Sequence, residues 1–219
     1  MIKSVIFDMD DTLLNSSGFS YNKHSFVAKL LGYNPITEEE FFEHWGKPWK
    51  MMIKGAFPDA DLELFVKTYN YHLFSRSHKP IHIDIGTHLK KYAEKGIILG
   101  IVSTRPESSM SYPEFPVDLS CFAFVHGEES TQFYKPDPRV FDKSKEILAS
   151  KNISEKETLY VGDLVLDYMA ANGAGLHFAA VLTGIDSRKP FNDVGLDDRL
   201  IHDSVLEIYP FLESVGWKL

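Results

Sequence analysis

A single cysteine, Cys121, stands in the chain of 219 residues, so no internal disulfide can form and the fold must rest on apolar packing. It lies beside Phe122, Ala123 and Phe124 in an apolar run, which predicts core packing rather than a catalytic thiol. No apolar stretch approaches the roughly 20 residues needed to span a bilayer, so no membrane partner is expected. Positive charge is also in deficit. The formal net charge of −8 repels a polyanion over most of the surface, which argues against nucleic acid and requires any phosphate-bearing ligand to be met by a local positive site. Met1-Ile2-Lys3 runs directly into a strand-like segment without a charged leader, an apolar h-region or a cleavage site, so a cytoplasmic protein is expected. There is no internal repeat and no low-complexity segment. Hydrophobic residues at 44% and charged residues at 25% are ordinary for a globular protein, and the length suits one core plus one appended lobe.

Ile2 to Phe7 is a short apolar run that stops abruptly at DMDDT, which reads as a buried strand delivering carboxylates at its C-terminal end. Runs of the same shape recur at Ile97 to Ser103, Cys121 to Gly127, Thr158 to Asp163 and Phe178 to Gly184. Helical patterns lie between them. His88 to Gly96 ends at a C-cap glycine, and a helix starts at Pro138 behind Asp137 as N-cap. Strand and helix therefore alternate, the signature of an α/β fold with a parallel sheet.

The stretch from about Asn15 to Pro80 breaks that rhythm, with no convincing strand and with aromatic residues at helical spacing. Leu62, Phe65, Val66, Tyr69 and Leu73 form one stripe, and Phe26, Val27, Leu30 and Leu31 a shorter one; both are expected to be core. The division predicted is a core of residues 1–14 and 81–219 with a helical insert of residues 15–80, which leaves directly after the first carboxylates and so is placed to cover them.

Asp8 and Asp10 lie two apart, and in an extended chain residues i and i+2 share a side, so both carboxylates can converge on one ligand. Gly162-Asp163 ends a later strand, with Asp167 one helical turn beyond; Asp8 plus Asp163, with Asp167 behind them, offers the hard oxygen ligands that Mg²⁺ takes. Lys135 in KPDP is a cation able to neutralise a carboxylate and a transferring phosphoryl group. Ser103 ends the IILGIV strand with a hydroxyl suited to a phosphate oxygen, and Thr104 follows it. Each element has an ordinary structural reading when taken singly: a capped turn around Asp11 or Thr12, a helix start, an exposed lysine, a strand-end serine.

In the order DMDDT, strand-Ser, Lys-Pro, strand-GDxxxD, these elements resemble the four motifs of the haloacid dehalogenase superfamily over essentially the whole chain. The insert is similar to the helical cap of its phosphoglycolate phosphatase and β-phosphoglucomutase branch. The resemblance implies a Rossmann-like core with the site at the carboxyl ends of the strands. It makes Asp8 the nucleophile, Asp10 the acid and base, and Ser103 and Lys135 the phosphate ligands, with Thr104 beside them. Asp8, the Asp10 carbonyl and Asp163 then surround Mg²⁺, with Asp167 supporting. The expected activity is hydrolysis of a small phosphorylated metabolite through an aspartyl-phosphate. Two positions depart from the pattern: Asp11 stands where many relatives have glycine, and Leu164 where a small polar residue is commoner.

Asp10 argues against a dehalogenase, which needs no leaving-group acid. A β-phosphoglucomutase-like mutase keeps all four motifs and stays open. A phosphoaspartate signalling module is disfavoured, because its lysine would follow the hydroxyl strand near the chain's end. Lys47, in HWGKPWK, is flanked by Gly46 and Pro48 as in a loop between helices and is expected to contact the substrate beyond its phosphate, with Lys50 and Lys54 as rivals. A cation there suits a phosphoglycolate-like leaving group. His82, Asp84 and His88 are expected on the surface, and Trp45 and Trp49 within the insert or at its seam with the core.

Overall fold

The structure, a computed structural model, describes residues 1–72, 78–112 and 115–219. At its centre is the strand β1 (Ser4–Phe7), too apolar to face water on either side. It pairs in parallel with β4 (Ile98–Val102) on one side and β6 (Thr158–Gly162) on the other. Outside β4 lies β5 (Phe124–His126), and beyond β6 lie β7 (His177–Val181) and β8 (Ile201–His202). The six-stranded order is β5-β4-β1-β6-β7-β8, with every pairing parallel. Side-chain alternation fills two layers at once. Val5 and Phe7 enter a cluster with Ile85, Leu89 and Tyr92 of α5 (Ile85–Glu94) and Ile208 and Leu212 of α9 (Ile208–Ser214). Ile6 enters the opposite cluster with Leu148 of α6 (Asp142–Ala149), Ala170 and Ala171 of α7 (Val165–Gly173) and Phe191 of α8 (Arg188–Asp193).

After β1 the chain builds outward through β4 and β5 and then returns to β6 on β1's other side. The strand order reverses beside β1, the place where open α/β sheets leave a crevice at their carboxyl ends. Phe7 aligns with Ile101 and Val161, so Asp8, Ser103 and Asp163 leave the sheet within about one residue of the same level.

Helices α1 (Ser17–Leu30), α2 (Glu38–Phe42), α3 (Trp49–Ala56) and α4 (Leu62–Tyr71) gather around an aromatic cluster of their own, including Phe41, Phe57, Phe65 and Tyr69. Thr37 and Glu40 cap α2 reciprocally, and Asp61 caps α4. Trp45 and Trp49 pack against this cluster. The segment departs from the strand-free reading at its ends: β2 (Leu14–Asn15) pairs antiparallel with β3 (Lys79–Pro80), tying exit and return together. Among the described residues no helix is long and apolar enough to cross a membrane.

Several expectations need correction. On α1 the buried residues are Ser20, His24, Val27 and Ala28, while Phe26 and Leu30 are 46% and 57% exposed. The polar pair can be buried because it is satisfied: His24 Nδ1 meets the Ser20 carbonyl at 2.8 Å, and the Trp49 indole donates to His24 Nε2 at 2.9 Å. Leu73 lies outside the described residues. His88 is buried against Tyr92 and Tyr209, whereas His82 and Asp84 are exposed. The run Cys121 to Gly127 yields only the three-residue β5, and Cys121 sits half-buried in a 3₁₀ turn at the margin of the α5 cluster. Pro138 opens a 3₁₀ turn, Pro138–Phe141, rather than α6 itself.

Candidate active site

Three strand ends and one lysine assemble the centre. Asp8, directly after β1, accepts a hydrogen bond from Lys135 Nζ at 2.7 Å. Lys135 also donates to Asp167 Oδ1 at 2.5 Å and to the Tyr160 hydroxyl at 3.1 Å, so all three ammonium protons are used. Tyr160, whose side chain leaves the middle of β6 toward the α6–α7 layer, donates in turn to the Val102 carbonyl at 3.0 Å. Asp167 Oδ2 accepts from the backbone amides of Asp163 at 3.1 Å and Leu164 at 2.9 Å, fixing the strand-to-helix turn before α7. Gly162 makes that turn feasible: a Cβ there would lie 2.5 Å from Asp167 Oδ2. Far from being an exposed lysine, Lys135 is 4% exposed.

Three carboxylates, from Asp8, Asp163 and Asp167, offer oxygens within 4.8 Å of one another, and all three residues are buried. Both Asp167 oxygens are engaged. Asp163 Oδ1 accepts from the Thr12 hydroxyl at 3.2 Å, but Asp163 Oδ2 is buried without a partner. Burial pushes Asp8 up to about 7 against the pull of Lys135. Burial, with repulsion from Asp167, Asp8 and Asp11, drives Asp163 well above the carboxylate range. Burial would strip Lys135 of its proton, but Asp167 and Asp8 hold it there firmly. One lysine thus faces three acids, and the orphaned oxygen lies among them. A hard divalent cation fits this all-oxygen set.

Asp10 belongs to a different network. Arg105 donates through Nε to its Oδ2 at 3.1 Å and through Nη2 to its Oδ1, and Ser16 Oγ donates to Oδ1 as well. Burial alone would raise the Asp10 carboxyl; Arg105 overrides it and holds the group below the usual range. Asp11 takes a left-handed conformation, φ 55°, which explains why glycine suits the position. Here the aspartate side chain offsets the strain by accepting the amides of Ser16 and Ser17, each at 2.9 Å, ahead of α1.

Asp8, Asp10, Asp163 and Lys135 line a cavity of about 100 Å³ roofed by the α1–α4 segment. Thr104, Arg105, Lys23, Lys47 and Trp49 complete much of its wall. Ser103, buried beside it, accepts the Arg105 amide at 3.2 Å. Lys47 Nζ lies 3.1 Å from His44 Nδ1. The aberrant Leu164 reaches the roof: a Cβ on Gly46 would lie 2.7 Å from Leu164 Cδ1. Arg105, Tyr160, Lys23 and Thr12 as an Asp163 partner were not singled out from sequence. For Arg105 the signal was its place two residues after Ser103; the others carried none.

A parallel sheet with acidic strand ends, a buried lysine and a helical roof defines an α/β protein with an aspartate–lysine centre at the carboxyl ends of its strands. The chain belongs to the haloacid dehalogenase-like hydrolase family, which it matches over residues 5–181. It is 29% identical over 195 residues to the pyrophosphatase PpaX of Anoxybacillus flavithermus, covering 86% of this chain and 87% of that one. To the phosphoglycolate phosphatase of Vibrio cholerae it is 25% identical over 202 residues, covering 86% and 88%. Among solved structures, a haloacid dehalogenase-like family hydrolase of Streptococcus pneumoniae superposes with a TM-score of 0.75 at 18% identity, over 96% of this chain and 98% of that one.

Proposed function

We propose that this hydrolase is a Mg²⁺-dependent phosphatase that cleaves a small phosphomonoester or phosphoanhydride through an aspartyl-phosphate on Asp8. The observation that carries this reading is the Asp8 carboxylate, hydrogen-bonded to Lys135 and set beside the orphaned Asp163 oxygen at the carboxyl end of β1. In the first step an Asp8 oxygen attacks phosphorus in line, the bond from phosphorus to the leaving oxygen breaks, and Asp10, which takes up a proton from solvent once it parts from Arg105, passes that proton to the leaving oxygen. Water then attacks the acyl phosphate, giving its proton to Asp10 and releasing inorganic phosphate. Lys135 and the Ser103 hydroxyl, with Thr104, hold the phosphoryl oxygens. Asp8, the Asp10 carbonyl and Asp163, with Asp167 behind them, would hold the Mg²⁺, which when bound screens the phosphate charge.

Residues 15–80 act as the cap over the site, and Lys47, from the loop before α3, contacts the substrate beyond its phosphate. The relatives' names support a small phosphorylated substrate whose leaving group is itself anionic, as in phosphoglycolate and pyrophosphate. The test is a screen of phosphomonoesters and pyrophosphate with Mg²⁺, reading released phosphate. Turnover that disappears in excess EDTA and returns with Mg²⁺ is expected. Undiminished turnover in EDTA would remove the metal from the reading, and isomerisation of a phosphosugar without phosphate release would make the protein a mutase.

A further inference from the structure

One wall of the cavity carries more positive charge than the reaction steps use. The Arg105 guanidinium, its side chain 9% exposed, spends its fork on both oxygens of Asp10. Its remaining contacts are Ser16 Oγ and Ser109 Oγ, both at 3.4 Å, and His78 Nε2 at 3.0 Å. Lys23 of α1 lines the same cavity, half-buried, with the Phe19 ring 5.6 Å from its ammonium; among the described residues no carboxylate is paired with it. Two cations on this wall thus have one aspartate between them.

From these contacts we infer that Arg105, assisted by Lys23, is the subsite for a second anionic group on the substrate, a carboxylate or a phosphate on the leaving side, and so determines specificity. The inference rests on the phosphatase reading. A planar guanidinium fork matches a pair of carboxylate or phosphate oxygens, and Asp10 now occupies that fork in the manner of such an anion. While it does, both Asp10 oxygens are engaged, one of them also by Ser16, so neither is free to face a leaving-group oxygen. An anionic leaving group that takes over the guanidinium releases Asp10 to turn toward the scissile bond. A neutral leaving group must break the Arg105–Asp10 pair unaided. Lys47 lacks this geometry: it is a point charge beside His44, with no contact to Asp10.

The test compares the wild-type chain with Arg105→Gln, Arg105→Lys and Lys23→Gln in Mg²⁺, on three probes. These are 2-phosphoglycolate, inorganic pyrophosphate, and ethyl phosphate, which matches phosphoglycolate in size without its carboxylate. The wild type is expected to favour at least one anionic probe over ethyl phosphate. Arg105→Gln should lower kcat/KM on that probe by about 10²-fold and raise it on ethyl phosphate, whose neutral leaving group then has no Arg105–Asp10 pair to break. Arg105→Lys, which keeps the charge but not the fork, should lose less, and Lys23→Gln about 10-fold, on the anionic probe only. A selective loss on phosphoglycolate assigns a carboxylate to the subsite, and one on pyrophosphate a phosphate. Should Arg105→Gln fail to fold, the other two variants carry the same comparison. Parallel losses on anionic and neutral probes, or none, would overturn the inference and leave the phosphatase standing; a wild type that cleaves none of the three, nor any other phosphomonoester, would overturn both.

Discussion

Lys135 and Arg105 each hold an aspartate of the first motif, yet they are built from different parts of the molecule. The partners of Lys135 are Asp8 at a strand end, Tyr160 in the middle of β6 and Asp167 in the first turn of a core helix, all buried. Those of Arg105 are Asp10, Ser16, Ser109 and His78, with Ser16 and His78 standing on the two arms that lead into and out of the helical roof. Breaking the Lys135 cluster would leave a buried charge unpaired, so it can only stay fixed. The Arg105 cluster is tied to those arms, so its geometry depends on where they sit. On the proposed reading, this division provides a rigid centre for the phosphoryl group and an adjustable one for the rest of the substrate.

The sharpest way to break the comparison is Asp8→Asn. The amide still accepts from Lys135, so the fold should persist, but it cannot form the acyl phosphate. Phosphate release is expected to fall by about 10⁴-fold or more, with an unchanged circular dichroism spectrum. Retention of even a few per cent of turnover would show that the rigid centre is not where the bond forms.

Asp10→Asn comes next. The amide can still meet Arg105, but it has no proton to give, so hydrolysis of an alkyl phosphate should drop by about 10² to 10⁴-fold. p-Nitrophenyl phosphate, whose leaving group departs without help, should lose far less. Equal losses on the two would place Asp10 with Asp8 in the rigid centre and dissolve the distinction.

The same division governs what could be read from sequence. Asp8, Ser103 and Asp163 were legible because strand ends in a parallel sheet converge whatever the loops do; Asp167 followed from its helical spacing after Asp163, and Lys135, which stands in a loop, from the order of the motifs. Arg105 was not, since it falls outside the four motifs and an arginine in a loop reads as solvated until the hinge folds over it. Tyr160 hid in a strand because the period-two pattern names the layer but not the hydrogen bond. In the roof, His24 and Ser20 interrupted α1's apolar stripe, so Phe26 and Leu30 were read as its inward face; the bonds of His24 to the Ser20 carbonyl and from Trp49 explain the polar interior. His88 was misread likewise, on a helix whose buried face it shares with Leu89 and Tyr92.

Acid should separate the two regions. Burial pushes His24 from 6.5 down to about 4, so the folded roof keeps it neutral while the unfolded chain protonates it. The folded pKa is depressed, and the unfolded state therefore binds more protons between those values. The stability contributed is present above pH 6.5 and is lost as pH falls through 4, amounting to about 3 kcal/mol. In the core, burial likewise pushes His88 and His126 down to about 4, but Asp8 and Asp163 are shifted upward, so acidification relieves those two and offsets part of the cost there. With metal removed and the core tryptophan replaced, Trp217→Phe, fluorescence from Trp45 and Trp49 should report loss of the roof at a higher pH than hydrogen exchange reports loss of β1 and β6. The reverse order would mean that the core, not the roof, is the acid-labile region.

The smallest expected effect lies at the seam, where Gly46 meets Leu164. Gly46 has φ +80°, a conformation that costs alanine about 1 kcal/mol, and its Cβ would lie 2.7 Å from Leu164 Cδ1. That contact is with the end of a flexible side chain, which can turn aside, so Gly46→Ala should destabilise the protein by only about 1–2 kcal/mol in urea unfolding. Its catalytic effect should be uneven, because the displaced Leu164 loosens roof against core without touching Lys135: KM should rise by about 3 to 10-fold while kcat stays within about 2-fold. Leu164→Ala in the same chain gives the added methyl its space and should recover the KM increase but not the backbone strain. If the double variant instead lost kcat, Leu164 would be bracing Asp163 and the rigid centre would extend across the seam.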